Sequence, residues 1–318
     1  MSDLAGKSVL VTGASGFVGC HLVRELALGG ARVHGLGIEA PRATLPLEQW
    51  HMADIADAGA LGLAIAATLP DMVVHLAGQA SAGKSFEFPV ETFRANAHGT
   101  WQLMLAVRAA APKARVLVIG TGEIYGPQPA GSRATEDTPL KPVSPYALSK
   151  AAADLYAQMA AADGLDVVRT RSFAHAGAGQ DPRFAVPSWA RQIAAIERGE
   201  APALLQVGNL DITRDLCDVR DVARAYIALL LRGGSGKAYN VCRGEGVTLA
   251  RLLERLRSLA RVPLGLEVDA ARLRPADVPY LVGDPTRIHA DTGWRAEIPV
   301  DLTLEAVLED ARHPAGVA

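Results

Sequence analysis

Tyr146 and Lys150 stand four residues apart in a stretch, 145–162, whose apolar spacing predicts a helix, so both side chains share one face. A free phenol has a pKa of about 10 and is a poor base at neutral pH. A neighbouring ammonium stabilises the phenolate and lowers that value. Such a pair can move a proton to or from the oxygen of a ketone or alcohol while a hydride moves at the carbon. The reacting oxygen needs a third group to hold it. Thr121, at the end of a predicted strand over 115–119, supplies a hydroxyl. Glu123 stands two residues on. A Tyr–Lys pair alone is more often an ordinary surface pair; it is the combination that points to chemistry.

A hydride needs a donor, and the N-terminal sequence offers a place for one. TGASGFVG at 12–19 follows the first predicted strand and opens the first predicted helix. Glycines at 13, 16 and 19 allow a tight turn, a close approach of backbone to a pyrophosphate, and close packing of helix on sheet. The helix N-terminus then presents free N–H groups to the phosphates. Gly13, Ser15, Gly16, Phe17, Val18 and Gly19 are the candidate cradle of a dinucleotide. The second strand ends in GLGIE at 35–39, with no acid at its tip. Glu39 could reach a ribose and Arg42 a 2′-phosphate, so NAD and NADP both stay open. Asp54, with Ile55 beside it, is a candidate for the adenine; a helix cap is its alternative role.

The elements that must hold these residues can be read from the apolar pattern. Short runs at 8–12, 32–36, 72–75, 115–119 and 166–169 are apolar almost throughout, as strands buried on both faces are. Helices fit at 16–28, 57–68, 88–110 and 145–162. The alternation predicts an α/β fold, a doubly wound parallel sheet with helices on both faces. Beyond residue 171 the texture loosens: helices at 186–198, 218–231, 249–259 and 301–309, a strand at 238–241 and an extended loop at 272–279. We expect a nucleotide-binding domain over 1–171 and a smaller α/β substrate lobe over 172–318, the chain returning to the first around 213–245.

Composition sets limits. The 318 residues carry a net charge of −2, which excludes nucleic-acid binding by bulk charge. The longest apolar stretch, 58–69, holds two glycines and is too short for the ~20 residues a membrane span needs. Asp3 and the glycines of the N-terminal run make it a poor signal peptide. Cys20, Cys217 and Cys242 form neither a disulfide framework nor a metal motif and suit a reducing, cytoplasmic setting. Cys217 and Cys242 are expected to be small buried hydrophobes, and His21 and His75 satisfied core histidines. No His, Asp or Glu spacing points to a metal.

The TGxxGxxG loop, the strand-end Thr and the YxxxK helix together resemble the extended short-chain dehydrogenase/reductases that act on nucleotide sugars, which carry a Rossmann-type domain. That resemblance implies that Thr121, Tyr146 and Lys150 form the catalytic triad. It places Leu76, Ala77, Gly78 and Asn96 near the cofactor and the active-site helix. VGNLDITRD at 207–215, YNVC at 239–242 and RLRPADVP at 272–279 are similar to segments of enzymes handling GDP-mannose derivatives, which implies a GDP-hexose substrate. Within that family the segments look most like those of reductases of GDP-linked 4-keto-6-deoxyhexoses; 4,6-dehydration or 4-epimerisation with tightly held NAD is the other reading. Lys84, Ser85, His175, Gln180, Arg183, Arg214 and Arg274 are the implied substrate contacts. Arginine suits the diphosphate because its fork of donors matches phosphate oxygens. The sequence departs from the family at Ala174, where an Asn usually stands. Gly122 replaces the acid or hydroxyl common in dehydratases, which leans toward reduction. By analogy the 88–110 and 145–162 helices pair across a homodimer.

Overall fold

The computed structural model describes residues 2–41, 44–272 and 278–313. Its first part runs β1 (Ser8–Thr12), α1 (Phe17–Leu28), β2 (Arg32–Gly37), β3 (Gln49–Met52), α2 (Ala58–Thr68), β4 (Met72–His75), α3 (Ala82–Glu87), α4 (Pro89–Phe93), a π turn (Arg94–His98), α5 (Gly99–Ala110), β5 (Arg115–Thr121), α6 (Pro145–Ala162) and β6 (Asp166–Ser172). The second part runs β7 (Ala174–Ala176), α7 (Ala185–Glu197), β8 (Leu204–Val207), β9 (Thr213–Asp218), α8 (Val219–Arg232), β10 (Ala238–Val241), β11 (Gly246–Thr248), α9 (Leu249–Ser258), β12 (Gly265–Val268), β13 (Tyr280–Leu281), α10 (Thr286–Thr292) and α11 (Val300–Arg312).

Seven parallel strands form the main sheet in the order β3-β2-β1-β4-β5-β6-β10. All five residues of β1 are buried, so the strand carries no polar alternation and needs cover on both faces. One face packs Leu22, Val23 and Leu26 of α1 with Val222 and Leu229 of α8. The other packs Leu61 and Ile65 of α2 with Leu103 and Val107 of α5. The strand order reverses between β1 and β4, and a crevice opens at the carboxyl ends there, where doubly wound sheets take their ligands. A second apolar core joins α7, α9 and α11 through Trp189, Ile193, Leu253 and Leu304.

Several boundaries differ from the sequence reading. β5 and β6 extend to Thr121 and Ser172, so Thr121 is the last residue of its strand. The helix expected over 88–110 is three pieces, with the π turn Arg94–His98 between α4 and α5. A π turn inserts a residue into the helical ladder and re-aims the side chains after it. Chain from the second part completes the sheet: β10 pairs in parallel with β6, from Ala238↔Arg169 to Val241↔Ser172.

Candidate active site

The dinucleotide cradle is shaped by backbone contact. Gly13 has φ +71°, and a Cβ there would lie 2.8 Å from the Ala77 nitrogen, so any side chain would push the 76–78 loop away. A Cβ on Gly19 would lie 2.3 Å from the Gly13 carbonyl oxygen; only glycine lets α1 seat this closely on the turn. Gly16 precedes α1 and no side chain caps it, so the first-turn N–H groups of Phe17 and Val18 are presented to the crevice. This arrangement fits a pyrophosphate. Ser15 stands beside the tip of β2, 3.7 Å from where a Cβ on Gly37 would be. Val18 packs against the core under the sheet. Asp54 is exposed and accepts the Ala56 N–H at 2.9 Å in the loop before α2; it is not the helix cap, since Asp57 caps α2 by accepting the Gly59 and Ala60 N–H groups. Ile55 is buried against Gly99. Glu39 lies on an exposed loop, and Arg42 falls outside the described residues.

The catalytic candidates meet at the end of β5. Ser144 caps α6 by accepting the Ala147 N–H at 3.1 Å, and Pro145 opens the first turn. Tyr146 is buried and hydrogen-bonded to the Thr121 hydroxyl, which also accepts the Glu123 N–H at 3.2 Å. Lys150, one turn further along α6, donates to the Ile119 carbonyl at 3.0 Å. Burial, then the Glu123 carboxylate, raises Tyr146 well above the ordinary phenol value, and the Thr121 hydrogen bond only partly offsets this. That differs from the expectation of a phenol lowered by the ammonium: burial and Glu123 set the direction here. Burial lowers Lys150 to about 8. Asp154, a further turn down α6, binds Arg169 at 2.7 Å and Arg171 at 3.0 Å, all three buried, which ties the helix to β6.

Asn96, carried by the π turn, braces this site. Its carbonyl oxygen accepts the Gln79 N–H at 2.8 Å and its amide donates to the Gln79 carbonyl at 3.0 Å and to Ser149 at 2.9 Å. Leu76, Ala77 and Gly78 are held between Asn96 and β1.

The implied substrate contacts are less gathered. Ser85 is buried and donates to the Ala82 carbonyl at 2.6 Å, while Lys84 is exposed, its ammonium 5.8 Å from the Phe88 ring centre. His175 stacks on Phe17 of the glycine loop at 6.1 Å and donates Nδ1–H to the Phe173 carbonyl at 3.0 Å. It therefore sits against the cofactor cradle. Gln180 donates to the His175 carbonyl at 3.0 Å, and its own side-chain oxygen is buried with no partner among the described residues. Arg183 is exposed and pairs with Asp181 at 2.6 Å. Arg214 donates to the Val278 carbonyl at 2.6 Å and the Thr213 carbonyl at 3.0 Å, tying β9 to the chain before β13. Arg274 lies outside the described residues. His21 is not a core histidine: it is partly exposed and reaches the Ala178 carbonyl at 3.0 Å, linking α1 to the 175–180 loop. His75, Thr100 and Ser149, which the sequence reading gave no part in the site, line its interior; each is a common residue type, and no spacing marks them.

Fold and site together define an NAD(P)-dependent enzyme of the extended short-chain dehydrogenase/reductase class. The statistical profile of the GDP-mannose 4,6-dehydratase family matches residues 10–307, and the chain belongs to that family. It is 38% identical to the GDP-6-deoxy-D-mannose reductase of Pseudomonas aeruginosa, over 96% of this chain and 97% of that one. The RMD protein of Pseudomonas aeruginosa complexed with NADPH superposes with a TM-score of 0.86 at 35% identity, covering 97% of this chain and 100% of that one. The Thermus thermophilus UDP-glucose 4-epimerase complexed with NAD gives a TM-score of 0.85 at 31% identity, covering 96% and 99%.

Proposed function

We propose that the chain reduces the C4 ketone of GDP-4-keto-6-deoxy-D-mannose to give GDP-D-rhamnose. The observation that carries this is the meeting of Thr121, Tyr146 and Lys150 at the carboxyl end of β5, with Tyr146 buried and Lys150 one turn along α6. Gly13, Ser15, Gly16, Phe17, Val18, Gly19 and the 76–78 loop would hold the dinucleotide, with Asn96, Tyr146 and Lys150 at its reactive end; Asp54 and Ile55 flank the adenine end. When bound, the dinucleotide supplies the hydride that becomes the C4 hydrogen. Thr121 and Tyr146 hold the ketone oxygen between two hydroxyls. Tyr146 gives its proton to that oxygen as negative charge gathers there, and the Lys150 ammonium stabilises the phenolate left behind. His175, Gln180, Arg183, Arg214, Arg274, Lys84 and Ser85 are proposed to face the nucleotide sugar. The likeness to a GDP-6-deoxy-D-mannose reductase supports the substrate. NADPH is proposed as the reductant on the likeness to the RMD protein complexed with NADPH.

Glu123 supports a second reading, a 4,6-dehydratase in which this carboxylate removes the C5 proton after oxidation at C4. It stands two residues after Thr121, close enough to act on Tyr146. Mixing the protein with the 4-keto sugar and NADPH separates the two: loss of reduced-nicotinamide absorbance supports reduction. Release of a 4-keto-6-deoxy sugar from GDP-mannose, with no net use of NADPH, supports dehydration.

The chain is also proposed to act as a homodimer in the cytoplasm. Val90, Phe93, Trp101 and Leu105 on α4 and α5, with Leu148, Leu155 and Met159 on α6, form an exposed apolar face of the kind that marks protein interfaces. Light scattering that returns a monomer at micromolar concentration would refute the dimer. The three cysteines are free and buried, as a reducing compartment allows, and no described helix is long and apolar enough to cross a membrane.

A further inference from the structure

We infer that His75 is a positioning residue, joining the dinucleotide cradle to the catalytic helix through one buried chain of hydrogen bonds from Thr12 to Ser149. The inference rests on the reaction proposed above. Thr12, His75, Asn96, Thr100 and Ser149 are each 2% exposed or less, so no water competes for these bonds. The direction of every proton in the chain follows from donor and acceptor chemistry. Thr100 has one hydroxyl proton, and its Oγ1 donates it to the Asn96 carbonyl at 2.6 Å. Thr100 must therefore accept from His75 Nε2 at 3.0 Å, which places the imidazole proton on Nε2. Nδ1 is then bare and accepts the Thr12 hydroxyl at 2.9 Å. Thr12 in turn accepts the Ala77 N–H at 3.2 Å. Beyond Thr100 the link passes through Asn96 itself: its main-chain carbonyl takes the Thr100 proton, its side-chain amide donates to Ser149 at 2.9 Å, and Ser149 donates to the Tyr146 main-chain carbonyl at 2.7 Å. Burial and the nearby Lys150 charge lower His75 to about 3, so the neutral tautomer persists across the working pH range.

The two ends of the imidazole do different work. Nδ1 fixes Thr12 and Ala77, which flank Gly13 where the cradle touches the 76–78 loop. Nε2–H fixes Thr100 and the π turn, whose Asn96 holds Ser149 between Tyr146 and Lys150. An apolar residue of similar size would fill the space but leave two polar groups, the Thr12 and Thr100 hydroxyls, to find other partners.

Variants that keep one end each test this. His75→Asn places an acceptor near the Nδ1 position, and His75→Gln a donor near the Nε2 position. We expect H75N to bind NADPH within about twofold of the native protein but to lose about tenfold in kcat, the scale of one buried hydrogen bond. H75Q is expected to weaken NADPH about tenfold and to keep kcat at saturation within about twofold. Binding is read by calorimetry without any sugar, turnover by absorbance, and folding by thermal melting. If neither His75 variant folds, T100V should reproduce the kcat loss without the affinity loss, and T12V the affinity loss. Equal losses of affinity and kcat in both variants, or altered melting with neither changed, would overturn the role. Should the native protein bind NADPH yet reduce no 4-keto sugar, the proposed reaction fails on its own. The affinity arm still decides then: an unchanged NADPH Kd in H75Q overturns the coupling.

Discussion

The Glu123 carboxylate raises the pKa of the Tyr146 phenol, second only to burial, although only the short turn after β5 separates Glu123 from the Thr121 that hydrogen-bonds the same phenol. In a reductase this charge only tunes the acidity of the phenol; in a dehydratase the same carboxylate would be the base. E123Q separates the two. Under the reductase account it lowers the reductive kcat by no more than about tenfold, the electrostatic share of one nearby charge. It also moves the phenol's titration to lower pH. A fall of about a hundredfold or more in the dehydration of GDP-mannose, the usual cost of removing a general base, would favour the dehydratase.

Lys150 gives a pH dependence with a definite sign. Burial lowers its pKa to about 8, so the ammonium is present below that pH and is lost as pH rises through it. Reductive kcat/KM in the free enzyme should be level below about pH 8 and fall above it. K150M, without a titrating group, should turn over about 10²–10⁴ times more slowly and show no such limb. An unchanged limb in K150M would assign it to another group.

Asp154 anchors the catalytic helix through two buried guanidinium groups. D154N leaves both charges uncompensated, which costs about 3–5 kcal/mol of stability. For a chain of this size the melting temperature should drop by roughly 10 °C. A melting temperature within a degree of the native value would show that the cluster does not hold α6 in place.

How much of this was legible in the sequence depends on how local each signal is. The 12–19 loop could be read because its glycines answer to their own turn and the strand beside it. The strands could be read because residues buried on both faces are apolar without interruption. The π turn at Asn96 could not, because the apolar spacing of 88–110 continues through it. The direction of Tyr146's shift was missed because Glu123 and the burial of the phenol outweigh a lysine one turn away. Arg183 and Arg214 show the limit for substrate contacts: residue type suggests a phosphate, while the structure shows Asp181 and the Val278 carbonyl each engaging part of a guanidinium.

His34 on β2 supplies an acid-sensitive point in the fold. It is 4% exposed and neither ring nitrogen has a partner among the described residues. Burial lowers its pKa, with Arg32 and His51 adding to the shift and Glu48 opposing it. The unfolded chain therefore takes up the proton first, so the stability tied to neutral His34 is present above about pH 6.5 and is lost as pH falls below it. H34L should melt at least as high as the native protein at pH 7.5 and lose less between pH 7.5 and 5.5. A native-like loss over that interval would place the acid sensitivity elsewhere.

The most direct test of the central claim is a single spectrophotometric comparison. Native protein and Y146F are mixed with GDP-4-keto-6-deoxy-D-mannose and NADPH, and absorbance at the reduced-nicotinamide band is followed, with calorimetry confirming that both bind NADPH. The account predicts rapid oxidation by the native protein and a loss of about 10²–10⁴ in Y146F with NADPH affinity intact. Equal turnover by the two proteins would contradict it.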